Sequence, residues 1–271
     1  MTDQVLVSCE KVNTFFGAHH VLKDIDLTIR PGETVGLVGE SGSGKTTIGR
    51  AILGIGPVTT GSIKFQGQEI AGLAPRERKG EAARIQAVFQ DPYTSLNPSM
   101  TIEDILTEPI IARGLATATE ARGQVRTLLE KVALPANAAH RYPREFSGGQ
   151  RQRVAIARAL ALSPKLIVCD EPVSALDLST QKRVLDLFIE LQERTGVAYL
   201  FVSHDLAVVR HISHRVAVMR GGGIVEFGEC DQVTARPEHP YTQRLLLAAP
   251  VADPARQKIR RAEFKALNEA R

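Results

Sequence analysis

The segment Gly39-Glu-Ser-Gly-Ser-Gly-Lys-Thr46 lies between an unbroken apolar run, TVGLVG, and a stretch with helical apolar spacing, KTTIGRAILG. A strand that turns through glycines directly into a helix is the first half of a β-loop-α unit, and its return requires a parallel sheet. The spacing G-x-x-x-x-G-K-[ST] in that context also carries chemistry. Gly39, Glu40, Ser41, Gly42, Ser43 and Gly44 form a loop whose backbone N–H groups can turn inward onto phosphate oxygens, with the positive end of the helix behind them. Lys45 can reach the β- and γ-phosphates of a nucleoside triphosphate, Thr46 can ligate Mg²⁺, and Thr47 follows in the first helical turn. A flexible Gly/Ser turn before an ordinary helix is the plainer alternative, and the preceding strand with the Lys-Thr pair argues against it.

Around this unit the chain divides by pattern. VLVSCEKV and VLKDIDLTI alternate apolar and polar residues and end at Pro31-Gly32, so they predict short antiparallel strands. From about Pro92 to Ser163 the segments IEDILTEPIIARG, EARGQVRTLLEKV and QRQRVAIARALAL have helical spacing broken by Pro and Gly, which predicts a helical insertion. KLIVCD, VAYLFVSH and RVAVMRGG then read as further apolar strands, with STQKRVLDLFIELQERTG helical between the first two, so a βαβ rhythm resumes. From about Arg236 a Pro-bounded helix, YTQRLLLAAP, leads into a basic tail. The expected fold is α/β: a P-loop NTPase (RecA-like) parallel-sheet core with an N-terminal antiparallel β subdomain and an inserted α-helical subdomain at about 92–163. The expected division is an ATPase domain over 1–235 and a C-terminal helical extension over 236–271.

Two more segments bear on chemistry. Leu166-Ile-Val-Cys-Asp170-Glu171 ends a buried strand with two carboxylates, one placed for a Mg²⁺ shell and one to polarise an attacking water. In isolation such a pair before Pro172 reads equally well as a solvated turn. Ser147-Gly148-Gly149-Gln150 opens a helix and presents a second anion-binding helix end. The first loop does not need it, so two such ends imply a composite site, although an N-cap serine beside permissive glycines is the simpler account of that segment alone.

Composition excludes several classes. No apolar run approaches the roughly 18–20 residues of a spanning helix, and MTDQVLVSCE has no basic region followed by a hydrophobic core; if a membrane matters, another subunit is expected to cross it. Cys9, Cys169 and Cys230 are far apart, which suggests neither a disulfide framework nor a metal site and fits a reducing cytosol. The net charge of +4 is spread along the chain with no basic block that would call for nucleic acid.

GESGSGKTT, Gln90 in VFQDP, FSGGQRQR, LIVCDEP, SALD at Ser174 to Asp177 and His204 in VSHD occur in the order in which ABC-transporter ATPases carry them, and over about residues 5 to 250 the chain resembles that family. The resemblance implies ATP and Mg²⁺ as ligand and cofactor, with a head-to-tail pair of ATPase subunits. ATP on the P-loop of one would be capped by Ser147, Gly148, Gly149 and Gln150 of the other. It implies that Thr46, Asp170 and Gln90 serve the Mg²⁺ and that Gln90 links it to the helical insertion. It also implies that Glu171, Lys45, Gln90 and His204 are the catalytic residues, with Gln90 also linking the attacking water to the insertion and His204 at the γ-phosphate, and that Asp177 acts across the dimer interface. Phe16, before Gly17, stands where the family places an aromatic on adenine, although Phe15 is its neighbour. A lone Gln after a strand is ordinarily a turn residue and a lone His a satisfied one, so these roles rest on motif position.

VFQDPYTSLNP, RYPREFSGGQRQR and EHPYTQRLLLAAP resemble the peptide, dipeptide and nickel uptake branch, and the first of them resembles the second ATPase subunit of oligopeptide and dipeptide importers. The branch implies a second ATPase subunit, identical or not, two transmembrane permease subunits, an extracytoplasmic solute-binding protein and a peripheral location at the cytoplasmic face of the inner membrane. The helical insertion would receive a short helix of the permease. An iron–sulfur centre seen near the C-terminus of some members is not expected, because Cys230 stands alone there. A soluble ABC ATPase acting on nucleic acid or ribosomes would show tandem halves or a coiled-coil insertion, and a non-hydrolysing ATP sensor would lack Glu171 or His204.

Overall fold

The computed structural model describes residues 5–74 and 77–248. Strands β1 (Val7–Phe16) and β2 (His19–Ile29) form an antiparallel hairpin, and β3 (Thr34–Gly39) runs into helix α1 (Lys45–Leu53). β4 (Thr60–Phe65), β5 (Gln68–Glu69), α2 (Lys79–Arg84) and β6 (Ile85–Val88) follow. Four helices come next: α3 (Pro92–Ser95), α4 (Ile102–Ala112), α5 (Ala118–Lys131) and α6 (Gly148–Leu160). The chain continues with β7 (Leu166–Asp170), α7 (Leu178–Thr195), β8 (Ala198–Val202), α8 (Leu206–Ile212), β9 (Arg215–Arg220), β10 (Gly223–Glu229), α9 (Cys230–Ala235) and α10 (Pro240–Ala248).

The strands form two sheets. One is antiparallel, in the order β2-β1-β4-β5; the other has the order β10-β9-β3-β8-β7-β6. Strands β9, β3, β8, β7 and β6 are parallel, and β10 is an antiparallel edge. The helices α3 to α6 lie in the chain between β6 and β7, which are nevertheless neighbours in one sheet. The insertion therefore interrupts the sequence of the sheet without interrupting the sheet.

Alternation along the parallel strands explains why both faces are covered. Ile167 and Cys169 of β7 and Tyr199 and Phe201 of β8 point to the side of α7 and the inserted helices. Phe188 of α7 meets the rings of Tyr199 and Phe201 edge-on at 5.3 and 5.7 Å. Leu166, Val168, Leu200 and Val202 point the other way, onto Ile48 and Ile52 of α1 and the apolar side of the antiparallel layer. A strand buried on both faces reads as a continuous apolar run, and all six residues of β3 are buried. A third cluster joins Val38, Val216 and Val218 to α8, α9 and α10.

Local signals set the helix ends. Thr117 and Glu120 form a reciprocal capping box on α5, and Thr101 caps α4. α7 starts on the Asp177 carboxylate and stops at Gly196, in the left-handed conformation a C-terminal cap favours. Gly36 lets α8 lie against the sheet: a Cβ there would overlap Val209 Cγ1 and stand 2.5 Å from Ser213 Oγ. Gly36→Ala is therefore expected to lower unfolding free energy by about 1–3 kcal/mol, the usual cost of overpacking. Urea denaturation measures it, and an unchanged midpoint would mean that α8 does not sit this close to β3.

Candidate functional site

Four parallel strands deliver the candidate residues to one edge of the sheet. In lateral order β3 runs into the glycine loop, β8 into Ser203-His204, β7 into Asp170-Glu171, and β6 into Phe89-Gln90. Val202 stands in register with Leu37 on one side and Asp170 on the other. Beyond the ladder, the Ser203 N–H donates to the Leu37 carbonyl at 3.1 Å and the Glu171 N–H to the Val202 carbonyl at 3.0 Å.

The loop after β3 needs its glycines. Gly39 has φ 152° and a Cβ there would overlap the Met219 carbonyl; Gly44, at φ 104°, is the residue before α1. No side chain caps α1 and its first turn holds no acidic residue, so its leading amides remain available to an anion. The Lys45 ammonium is buried and donates to the carbonyls of Gly39 and Glu40, each at 2.8 Å. Burial pushes its pKa down, while Glu171, Asp170 and Glu40 favour the charged form. A pocket of about 260 Å³ opens over the loop. Its wall is His19 and Val21 of β2, Ser41, Gly42 and Gly44 of the loop, Lys45, Thr46 and Thr47 of α1, and Glu171. Glu40 and Ser41 are exposed, whereas Ser43 is buried with no partner for its hydroxyl among the described residues.

Thr46 and Asp170, far apart in sequence, meet here: the Thr46 hydroxyl donates to Asp170 Oδ1 at 3.0 Å. Burial raises the Asp170 carboxyl above its ordinary pKa; the Thr46 bond opposes this and Glu171 adds to it. A threonine hydroxyl in the pocket wall and the carboxylate bonded to it are hard oxygen donors that suit Mg²⁺, which keeps most of its shell from phosphate and water. Glu171 has φ 48°, a left-handed conformation uncommon for its type, and is held in it from both sides. Its N–H is engaged by Val202, and its carbonyl accepts from the Ser174 N–H at 3.2 Å and hydroxyl at 3.0 Å. Glu171 Oε1 lies 3.1 Å from Nδ1 of His204, which is exposed. Gln90 is exposed at the end of β6, and the next residue, Asp91, caps α3.

A second group stands elsewhere. Ser147 caps α6, accepting from the Gln150 N–H at 3.4 Å, while Gln150 Oε1 accepts the Ser147 N–H at 3.0 Å. Gly149, in the first turn of α6, is buried against the start of α7, where a Cβ would overlap Thr180 Cγ2. The Asp177 carboxylate caps α7, and the Ser179 hydroxyl, with Thr180, holds it well below the usual carboxylate range. None of Ser147, Gly148, Gly149, Gln150 or Asp177 lines the pocket over the glycine loop.

The hairpin separates the two phenylalanines. Phe16 pairs with His19 and Phe15 with His20, and opposed residues share a face. Phe15 stacks on His20, ring centroids 4.0 Å apart, whereas the exposed Phe16 shares the face of His19, which lines the pocket. Val21 is one pocket residue missing from the sequence analysis, and His19 is another. The signal for it was the tight turn Gly17-Ala18, which puts the residue after the turn opposite the one before it.

A family described as ABC transporter matches residues 22–174, more than half of the chain. The chain belongs to the ABC transporter family. A second family, described as oligopeptide/dipeptide transporter, C-terminal region, matches residues 225–270 of this ABC chain. The glutathione import ATP-binding protein GsiA of Escherichia coli (strain K12) is 52% identical over 242 residues, covering 89% of this chain and 39% of that protein. GsiA of Shigella boydii serotype 4 (strain Sb227) matches to the same extent, so the chain spans about two-fifths of the length of these curated relatives. Among solved structures, cbiO1 from Clostridium perfringens, part of the ABC transporter complex cbiONQ, superposes with TM-score 0.79 at 26% identity over 89% of this chain and 95% of that one. The post-hydrolysis dimer of the ATP-binding cassette MJ0796, bound to ADP and Pi, gives TM-score 0.73 at 31% identity over 83% and 98%. The expected α/β P-loop fold is thereby established.

The raised Asp170 carboxyl makes a prediction about the protein with nothing bound. The folded chain holds that proton more tightly than the unfolded one, so Asp170 lowers stability as pH rises from near 3.8 through the raised value, and does so fully at neutral pH. Asp170→Asn, whose side-chain oxygen can still accept from Thr46, is expected to raise the neutral-pH melting temperature by about 1–3 °C. A fall in melting temperature would show that the charged hydrogen bond outweighs burial.

Proposed function

We propose that this chain binds and hydrolyses ATP as a subunit of an ABC importer for peptides or a related small solute, with glutathione the first to test. The observation that carries it is one pocket walled by Lys45, Thr46 and Glu171, with Asp170 bonded to Thr46 and His204 in contact with Glu171. The C-terminal family match and the names of the curated relatives support the importer branch and the solute class.

In this reading Gly39 to Thr47 cradle the phosphates, Phe16 and His19 flank the base and ribose, and Lys45 bears on the γ-phosphate. Thr46 and Asp170, with Gln90, would hold Mg²⁺, which would neutralise charge on the phosphates. Glu171 orients and deprotonates the attacking water, and His204 fixes the Glu171 carboxylate and faces the γ-phosphate. Ser147 to Gln150 and Asp177 serve the nucleotide of a second ATPase subunit in head-to-tail pairing, which accounts for their distance from this chain's own pocket. Differential affinity of the paired and separated forms for nucleotide would drive two permease subunits between access states at the cytoplasmic face of the inner membrane, with solute delivered by an extracytoplasmic binding protein. Residues 1–235 would be the ATPase domain and 236–271 a C-terminal extension, of which 249–271 lies outside the described residues.

Glu171→Gln is expected to keep ATP affinity within about twofold while hydrolysis falls by about 100-fold or more, the usual contribution of a positioned base. ATP should then hold the variant as a dimer in light scattering, and undiminished hydrolysis would remove Glu171 from its role. Affinity purification of the tagged chain from native membranes is expected to bring down two permease subunits and a second ATPase. Recovery of ribosomes or nucleic acid instead would overturn the importer reading.

A further inference from the structure

The C-terminal helix reaches the phosphate loop through one side chain. Tyr241, in the first turn of α10, is 4% exposed, and its hydroxyl accepts the backbone N–H of Glu40 at 3.2 Å. The carbonyl of the same residue accepts the Lys45 ammonium at 2.8 Å and the Ser43 N–H at 3.2 Å. Glu40 is thus the point at which the loop is tied down: one side of the residue is bound by α10, the other by the lysine and by the loop's own turn.

The tie is built from several directions. The Tyr241 ring packs in the cluster that holds Val38, two residues before Glu40, and Leu206, two residues after His204. Arg220 stacks over the ring at 5.0 Å. The start of α10 is fastened in turn, because the Glu226 carboxylate accepts the N–H groups of Glu238 and His239 at 2.9 and 3.1 Å, and His239 Nδ1 accepts that of Tyr241 at 3.1 Å. A tyrosine needed only for its bulk would not require its hydroxyl aimed at a loop amide.

We propose that Tyr241 is a positioning residue of the phosphate loop, through which α10 sets the loop's affinity for nucleotide phosphate. The amide held by Tyr241 is turned away from the phosphate, which fixes the direction of the loop so that the amides beyond Glu40 converge on the pocket. Loss of the hydroxyl leaves the Glu40 peptide free to rotate and loosens the seat of Lys45. The inference rests on the ATP reading given above.

The test uses the full chain, with Tyr241→Phe, which keeps the ring and removes the hydroxyl, beside Val233→Ala, which weakens the same cluster without touching the loop. Affinity for a fluorescent ATP analogue, KM and kcat for ATP hydrolysis, and melting temperature are measured on each. Tyr241→Phe is expected to raise Kd and KM about 3–10-fold, the range for one lost hydrogen bond, with kcat within about twofold. Val233→Ala is expected to lower the melting temperature further and leave KM unchanged. Wild-type KM in Tyr241→Phe, or an equal rise in KM in Val233→Ala, would overturn the proposal and leave the ATP reading standing. A wild-type chain that binds no ATP overturns both.

Discussion

The backbone of Val202 and Ser203 joins the two halves of the candidate site. Val202 is paired with Leu37 in the strand that feeds the glycine loop and with Asp170 in the strand that ends in the acid pair. Just past the ladder its carbonyl still holds the Glu171 N–H, and the Ser203 N–H still holds the Leu37 carbonyl. A parallel sheet delivers successive strand ends to one edge, so this register decides which side chains emerge together. A slip of one residue in β8 would turn every side chain of that strand to the opposite face and carry His204 away from Glu171. The Thr46–Asp170 bond and the Glu171–His204 contact both depend on it.

The same frame explains the strain and burial stored at the edge. Glu171 tolerates a left-handed backbone because its N–H and carbonyl are engaged before its side chain is considered. Lys45 is buried as a cation because loop carbonyls and nearby carboxylates take the place of water. Asp170 bears a burial cost that one hydroxyl only partly offsets. Groups held at such cost are suited to phosphate and a divalent cation, which supply the missing partners.

Legibility differed by element. β3, β7, β8 and β9 are apolar runs buried on both faces, and the glycine loop and acid pair at their ends could be located directly. β6 could not: it is four residues long, IQAV, and its neighbour in the sheet lies beyond the whole inserted segment. β10 is an edge strand of half-buried residues without alternation, β4 buries only Ile63 and Phe65, and β5 is two exposed residues long. α8 is a seven-residue helix in a stretch to which the sequence pattern assigned no element. Periodicity reports burial, so elements that bury little, or too briefly, carry little signal.

The sequence by itself determined the strand–glycine loop–helix unit, the helical character of the inserted segment and the capping of α6 and α7, because each depends on residues within a turn or two of one another. It also carried the ordered motifs from which the family could be recognised. Only the tertiary structure decided that Asp170 meets Thr46, that His204 rather than another group faces Glu171, and that Phe16, not Phe15, shares the face of His19 in the pocket wall. It alone brought Tyr241 to the phosphate loop from 201 positions away. Those pairings are settled by strand order, register and the packing of helices on a shared sheet, which are properties of contacts distant in the chain and leave no local pattern to read.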